Sequence, residues 1–352
     1  MSKNFAFRVE IDGQIGMGHY KRLISLSEQL GSKNISWFIS GDRVLASLLL
    51  RNKSFFYLGV SKKKSLEDLC LKYIEKKNIT KIVLDLSYKD NLKNNKILSI
   101  IKFYKKNNIL VTSFDDPRHK ITSDVSIIPY QIKKKSLNIV NKNSKIFLGL
   151  NYFFFSKKIL NIHNNNFKKK INNILIFISA SDKGNIGYKI LKLIITLNCE
   201  IILITNIKNI PAINRQLKVF ISSHPTKSLN KIKIIPLTNN FEKYLKWSDL
   251  IISGEGLVKY EAIFLNKPLI LVHVNDNNSE TIKIFLSKNA CLSLGKYKDY
   301  LENDYKQKML SYILDYKTRL VHFKNSNSFF DKKNLLTQQK KLISTLRKLE
   351  IK

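Results

Sequence analysis

The chain has 352 residues, 44% of them hydrophobic, and a formal net charge of +36 at pH 7. This length suits two domains of ordinary size, and no apolar run reaches the roughly 18 residues of a transmembrane helix. The N-terminus "MSKNFAFRVEI" lacks the basic region, apolar segment and cleavage site of a signal peptide. Cys70, Cys199 and Cys291 are too far apart to form a zinc-binding spacing or a disulfide framework. We therefore expect a cytoplasmic protein without a metal site.

The basic charge raises the question of a nucleic-acid partner. The lysines are scattered along the chain and accompany many Asn and Ile residues, as in "KKKSLEDLCLKYIEKKN", and they form no local cluster. No zinc knuckle or aromatic ribonucleoprotein strand is present. We expect no dedicated nucleic-acid binding, although a basic surface attracts anions such as phosphorylated sugars or an acidic membrane face.

Apolar segments of strand length alternate with helical patterns through the first half of the chain. The predicted strands are "NFAFRVEI", "ISWFIS", "FFYLG", "KIVLDLS", "ILVTSFDD" and "SDVSIIPY". The predicted helices are "HYKRLISLSEQL", "LEDLCLKYIEKKN" and "NLKNNKILSIIKFYKKNN". Continuous apolar strands separated by helices are typical of a parallel sheet that is covered on both faces.

The same alternation restarts after the polar bridge "SKKILNIHNNNFKKKIN". We predict an α/β fold of two Rossmann-like, doubly wound domains that face a cleft, the glycosyltransferase-B-like architecture. The predicted parts are an N-terminal domain (1–155), a linker (156–172), a nucleotide-sugar-binding domain (173–320) and a helical tail (321–352). Sites in such sheets lie at the carboxyl ends of the strands.

The segment "GQIGMGH" joins the first predicted strand to the first predicted helix. Glycines at such a turn allow the backbone to approach a ligand closely. A helix N-terminus disfavours the imidazolium, so His19 is expected to stay neutral and to be available as a general base. A solvent-facing or capping histidine is the alternative.

A second motif, "SGEGLVKYEAIFLNKPLILVHVNDNNSE", combines a strand end, a helix carrying Glu261 and a polar loop. A carboxylate offers two acceptor oxygens to the two adjacent hydroxyls of a ribose, and amides at a helix start can bind diphosphate. The alternative is an exposed Glu on an amphipathic helix.

A third segment, "SFDDPRH", places two aspartates at a predicted strand end. Asp115 and Asp116 could bind a metal, but we favour a polar scaffold that caps the turn before Pro117. Asp85, which ends "KIVLD", is a parallel case.

Together these segments resemble the UDP-sugar hydrolases of pseudaminic acid biosynthesis, which cleave UDP-2,4-diacetamido-2,4,6-trideoxy-β-L-altropyranose. The run "FRVEIDGQIGMGHYKR" is similar in spacing to the N-terminal signature of that family, and further matches are "SFDD", "GLNY", Asp182 and "LVKYEA". The resemblance extends over most of residues 5–290.

The resemblance implies inverting, metal-independent hydrolysis at the anomeric carbon without a cofactor, with UDP and the free sugar as products. His19 matches the catalytic histidine that positions or deprotonates water, and Glu261 matches the ribose-binding acid. The residues expected to contact the UDP-sugar are Asp12, Gln14, Gly16, Gly18, Arg22, Asp85, Asp115, Tyr152, Asp182, Ser253, Gly254, Gly256, Leu257, Glu261, Asn278, Ser279 and Glu280.

The chain departs from the family pattern at several positions. Glu10 stands where the family has aspartate, Ser179 and Ala180 replace paired glycines, and Glu255 lies near the expected diphosphate. A carboxylate there repels diphosphate unless it is turned away or paired. Two other interpretations therefore stay open, a glycosyltransferase on the same scaffold and a catalytically reduced UDP-sugar-binding protein.

Overall fold

A computed structural model describes thirteen segments of the chain, and they form two compact units. The described residues are 4–11, 18–31, 35–50, 54–59, 65–86, 96–114, 120–132, 134–162, 167–182, 184–223, 231–274, 280–296 and 302–350. The first unit comprises Met1–Lys157 with Asp331–Lys352, and the second unit comprises Lys158–Phe330.

The first unit contains a seven-stranded parallel sheet. Its strands are β1 (Phe5–Ile11), β2 (Ile35–Gly41), β3 (Phe55–Gly59), β4 (Lys81–Asp85), β5 (Leu110–Phe114), β7 (Val125–Ile128) and β9 (Lys145–Leu148). Two short strands, β6 (Lys120–Ile121) and β8 (Asn138–Ile139), pair separately. The helices are α1 (Gly18–Leu30), α2 (Arg43–Leu49), α3 (Ser65–Lys76), α4 (Lys96–Lys106) and, at the end of the chain, α13 (Lys332–Lys348).

The strand order in this sheet is β3-β2-β1-β4-β5-β7-β9. The chain moves outward in one direction from β1 to β2 and β3, and in the other direction from β4 onward. The switch point of the topology therefore lies between β1 and β4, where Ala6 pairs with Ile82 and Val9 with Asp85. Ligands bind outside the carboxyl ends of the strands at such a point.

The side chains of β1 alternate between two cores because successive residues of a strand point to opposite faces. Phe7 and Val9 lie in a cluster with Leu23 of α1 and Leu342 of α13. Ala6 lies in the other cluster, which contains residues of α3 and α4. Both faces of the sheet are thus covered, as the continuous apolar strands predict.

The second unit contains a six-stranded parallel sheet. Its strands are β10 (Asn173–Phe177), β11 (Glu200–Thr205), β12 (Ile232–Pro236), β13 (Leu250–Ser253), β14 (Leu269–His273) and β15 (Leu292–Lys296). Its helices are α6 (Ile186–Ile194), α7 (Ile210–Ser223), α8 (Phe241–Trp247), α9 (Val258–Phe264), α10 (Glu280–Ser287), α11 (Glu302–Leu314) and α12 (Tyr316–Ser326). A short helix, α5 (Lys157–Leu160), starts at the last residue of the first unit's N-terminal part.

The strand order of the second sheet is β12-β11-β10-β13-β14-β15. Its switch point lies between β10 and β13, so the second unit repeats the topology of the first. The middle residues of the central strands are apolar, and the core includes Ile176, Leu203, Ile252 and Ile270. The predicted α/β class with two Rossmann-like parallel sheets is confirmed.

The predicted helical tail (321–352) is divided between the two units. Residues 321–330 belong to the second unit, and α13 belongs to the first. Two of its hydrogen bonds are made by Gln339, which donates to the carbonyl of Phe153 at 2.7 Å and accepts from Gln29 at 2.8 Å. The tail pattern shows amphipathic helices, but it does not show which core each apolar face covers.

The predicted linker (156–172) is held, in its described part, by the second unit. The guanidinium of Arg319 on α12 donates to the carbonyls of Lys168 at 3.1 Å and Lys169 at 2.6 Å. The ammonium of Lys168 pairs with Asp249 at 2.9 Å. These residues are therefore part of the packed second unit.

Several short elements were not predicted, among them α2, β9 and β15. Each has seven residues or fewer, which is too short for a periodic signal. Among the helices in the described segments, none combines the length and apolarity needed to cross a membrane.

Candidate functional site

The switch point of the first sheet brings His19, Asp85 and Arg22 together. His19 is the second residue of α1, which follows β1, and Asp85 is the last residue of the adjacent strand β4. Arg22 lies three residues after His19, so both side chains project from the same face of α1. The order of the strands therefore places the histidine beside the aspartate.

The imidazole of His19 contacts the buried carboxylate. Its Nδ1 lies 2.5 Å from Oδ1 of Asp85. We assign the ring proton to Nδ1, from which it forms a hydrogen bond to Asp85, because a carboxylate that accepts from Arg22 offers acceptor oxygens. This tautomer leaves Nε2 as the ring nitrogen that can accept a proton. The His19 side chain is 17% exposed, whereas Asp85 is fully buried.

Arg22 stabilises the negative charge of Asp85 through two hydrogen bonds. Its Nε donates to Oδ2 at 3.0 Å and its Nη2 donates to Oδ1 at 2.7 Å. Its Nη1 donates to the hydroxyl of Tyr130 at 2.8 Å, and the guanidinium lies 5.2 Å from the ring centre of Phe114. A planar guanidinium matched to both carboxylate oxygens holds Asp85 in one orientation.

Two predicted contact residues of the first unit have protein partners for their polar groups. The carboxylate of Asp85 is buried and bonded to His19 and Arg22, so it orients the histidine. The hydroxyl of Tyr152 donates to Gln338 on α13 at 3.2 Å, and a substrate contact of either residue stays a prediction. Tyr130 was missed by the sequence argument, although it follows the end of β7 at the same edge of the sheet.

At the switch point of the second sheet, the turn after β13 lies close to the turn after β10. A Cβ atom at Gly254 would lie 2.2 Å from the carbonyl oxygen of Ile178, so only glycine fits there. A Cβ at Gly256 would have no atom within 4 Å. Ser253 is buried, and its hydroxyl donates to the carbonyl of Gly254 at 2.9 Å instead of facing a ligand.

Glu255 is turned toward the interior of the second unit. Its Oε1 lies 3.9 Å from Nδ1 of His273, whose Nε2 lies 2.8 Å from the hydroxyl of Ser293. Lys259 donates to the backbone carbonyl of Glu255. Burial lowers the pKa of Lys259 to about 8, and the charge of Glu255 opposes this shift. The Glu255 carboxylate therefore has neighbours that are cationic or can be protonated. From the sequence, this carboxylate was expected to repel diphosphate unless it was turned away or paired.

Glu261 lies on the first turn of α9, and Leu257 immediately precedes this helix. Its side chain is buried, with 7% exposed, so it is not the exposed glutamate of the alternative interpretation. Its predicted contact with a ribose stays a prediction.

Asp182 is an internal turn residue and not an exposed ligand. Its carboxylate accepts from the amide of Gly187 at 3.2 Å and from the hydroxyl of Thr205 at 3.3 Å. Its amide donates to the hydroxyl of Ser179 at 2.8 Å, so that hydroxyl is turned toward its own loop. The substrate contact predicted for Asp182 stays a prediction.

The remaining predicted site residues start helices or lie outside the described segments. Gly18 is the first residue of α1. Glu280 starts α10, but its side chain is not described. The residues that lie outside the described segments are Asp12, Gln14, Gly16, Asp115, Asn278 and Ser279.

Comparison with known proteins gives two curated relatives, and no family model matches the chain. An uncharacterized protein of Methanocaldococcus jannaschii, MJ1062, is 25% identical over 306 residues, which are 81% of this chain and 59% of that protein. The chain thus spans less than two thirds of that relative. The spore coat polysaccharide biosynthesis protein SpsG of Bacillus subtilis is 22% identical over 337 residues, covering 91% of this chain and 92% of SpsG.

Solved structures with the same fold include two that span almost the whole chain. MurG of Acinetobacter baumannii superposes with a TM-score of 0.61 at 10% identity, covering 98% of this chain and 100% of MurG. HepE of Anabaena, in complex with UDP and glucose, superposes with a TM-score of 0.60 at 12% identity, covering 98% and 99%. At these identities the likeness shows the fold, which is that of the glycosyltransferase-B enzymes.

Proposed function

We propose that the chain is an enzyme that hydrolyses a UDP-sugar and releases UDP and the free sugar. The observation that carries this proposal is the His19–Asp85 pair at the switch point of the first sheet, held by Arg22. Two further findings support a nucleotide-sugar substrate. The relative SpsG is described as a polysaccharide biosynthesis protein, and HepE shares the fold and binds UDP.

In this proposal His19 is the general base. Its Nε2 takes a proton from water while the water oxygen attacks the anomeric carbon. The bond from that carbon to the diphosphate oxygen breaks, UDP leaves as an anion, and the configuration of the carbon is inverted. Asp85 stabilises the imidazolium that forms, because its negative charge lies against Nδ1.

The second unit supplies the proposed nucleotide contacts. The amide of Gly254 donates to the carbonyl of Phe177 at 3.4 Å, so the diphosphate is proposed to lie against Gly256 and the start of α9. Glu261 is proposed to accept hydrogen bonds from the ribose hydroxyls. The proposed sugar is a 2,4-diacetamido-2,4,6-trideoxy hexose of nonulosonic (pseudaminic) acid biosynthesis, on the strength of the similarity of "FRVEIDGQIGMGHYKR" to that family.

The test is release of UDP from a panel of UDP-sugars by the purified full-length chain. We expect His19→Ala and Asp85→Asn each to lower kcat by about 10²-fold or more, since one takes away the base and the other its orienting partner. Asp331→Asn is the matched control, because Asp331 caps α13 at an exposed position and asparagine caps a helix equally well.

The outcomes separate the competing functions. Full activity of His19→Ala contradicts the proposed base. UDP release that requires an added acceptor alcohol identifies a glycosyltransferase, in which the same base deprotonates the acceptor. Tight binding of UDP-sugar without turnover identifies a binding protein of reduced catalytic competence.

A further inference from the structure

A groove of about 590 Å³ lies between α6 and α7 on the surface of the second unit. Its size is within the range of ligand-binding clefts. Lys189, Lys192 and Arg215 contribute three cationic side chains, and Tyr188, Val219 and Phe220 contribute apolar surface. None of the described residues that line it is acidic. The groove thus combines apolar walls with one sign of charge.

The cations come from both sides of the groove. Lys189 and Lys192 are three residues apart and share a face of α6. The ammonium of Lys192 lies 5.8 Å from the ring centre of Tyr188, which keeps it over the apolar wall. Arg215 projects from α7, and its guanidinium presents a planar set of donors that matches a phosphate. The arrangement suits one phosphate group between two helices.

Helix α7 is largely exposed. Of its 14 residues, Ile213 is the one that is fully covered. Val219 is 66% exposed, and Ile207, just before the helix, is also 66% exposed. The helix itself has no acidic residue. Exposed apolar residues together with basic residues are typical of segments that lie in a membrane interface.

We propose that the α6–α7 groove binds the headgroup of an anionic phospholipid and holds the second unit on a membrane surface. The headgroup phosphate contacts Lys189, Lys192 and Arg215, and the glycerol and first acyl carbons contact Val219. The three cations match the charge of a headgroup phosphate, and the exposed apolar Val219 beside them favours a lipid over a wholly polar acidic peptide. The groove lies on the second unit, and this proposal does not depend on the proposed reaction.

The test is co-sedimentation of the full-length chain with vesicles of phosphatidylcholine, with or without phosphatidylglycerol. The triple variant Lys189→Gln, Lys192→Gln, Arg215→Gln is expected to bind the anionic vesicles about 100-fold more weakly, at about fivefold for each basic residue near the surface. Val219→Asp is expected to abolish the binding that persists at high salt, because that residual binding comes from apolar contact.

Matched variants distinguish this groove from the general basic charge of the chain. Lys306→Gln, Lys317→Gln, Lys324→Gln removes the same charge from exposed positions of α11 and α12, and Val321→Asp changes a residue that is 45% exposed on α12. Both are expected to bind nearly as well as the unmodified chain. An equal loss in these controls, or no binding to anionic vesicles, overturns the proposal, and binding of an acidic peptide alone assigns the groove to a protein partner.

Discussion

Asp85 and Asp182 are both buried aspartates, but the two carboxylates have different hydrogen-bond donors. Asp85 accepts two hydrogen bonds from the guanidinium of Arg22. Two of the donors to Asp182 are neutral, the amide of Gly187 and the hydroxyl of Thr205. Burial raises the pKa of Asp182, although these hydrogen bonds oppose the shift. The carboxylate of Asp182 therefore costs stability when it is ionised.

Asp182→Asn is expected to be as stable as the unmodified chain at neutral pH, or more stable. The amide oxygen still accepts from Gly187, no charge is buried, and asparagine tolerates the φ of 36° at this position. Because the native pKa is raised, the native state gains stability as pH falls toward that pKa, and the variant should lose this dependence. Denaturant unfolding at neutral and mildly acidic pH measures both effects.

The comparison for this substitution is Asp85→Asn, which leaves Arg22 buried against a neutral amide. It should cost about 3 kcal/mol of unfolding free energy, because one partner of a buried ion pair has been neutralised. An unchanged KM for the UDP-sugar in Asp182→Asn agrees with a structural role. A large rise in KM with unchanged stability contradicts that role and restores the predicted substrate contact.

The sequence located the candidate site residues along the chain, but it did not show which of their side chains bond to one another. His19 was identified from its place after a glycine turn at a helix start, and Asp85 from its place at the end of a predicted strand. Asp85 can orient His19 because β1 pairs with β4. Arg22 can donate to Tyr130 because β7 ends at the same edge of the sheet. Those are tertiary relations between residues 63 to 108 positions apart, which no local pattern encodes.

At the scale of elements, helix α13 shows what an amphipathic pattern leaves open. The pattern predicts a helix in "KNLLTQQKKLISTLRKL", and the structure has one. Its apolar residues Leu342, Ile343 and Leu346 join the core of the first unit, although the preceding helix belongs to the second. The long strands of the two sheets were predictable because they are continuously apolar, whereas short elements such as α2 and β9 depend on their neighbours.

Leu342→Ala is expected to destabilise the first unit by about 2–5 kcal/mol, because the side chain is fully buried and its removal leaves a cavity. Leu336→Ala is the matched control on the same helix, since Leu336 is 45% exposed, and it should change stability by about 0.5 kcal/mol or less. Thermal or denaturant unfolding measures the difference. Similar losses for both variants contradict the docking of α13 on this core.

At the scale of the whole molecule, buried titratable groups limit the pH range of stability. In the second unit, burial lowers the pKa of Lys259 and Lys267 to about 8. Burial also raises the pKa of Cys70 in the first unit and Cys291 in the second to about 12.

The free energy of unfolding should rise between pH 8 and 9. In that interval an unfolded lysine still holds its proton, whereas Lys259 and Lys267 have begun to lose theirs in the native state, so the unfolded state binds more protons. Each lysine contributes about 1 kcal/mol over this interval. Above the ordinary cysteine pKa of 9.0 the buried thiols of Cys70 and Cys291 oppose this rise, because an unfolded thiol ionises while they stay protonated. The lysine contribution is still the larger one at about pH 9 and weakens as unfolded lysines lose their protons, so we expect a maximum of stability between about pH 9 and 10.

The variant Lys259→Met tests how much Lys259 contributes to the rise in unfolding free energy with pH. Methionine retains the apolar stem and carries no charge, so the variant should show a smaller rise between pH 8 and 9 by about 1 kcal/mol, whatever its absolute stability. Lys317→Met is the control, because Lys317 is exposed in the same unit and its ammonium loses no hydration on folding. Denaturant midpoints measured at a series of pH values distinguish a change in the pH dependence of stability from a change in absolute stability. If Lys259→Met keeps the full rise, then Lys259 is not the group that releases a proton on folding, and the increase has to come from Lys267 alone.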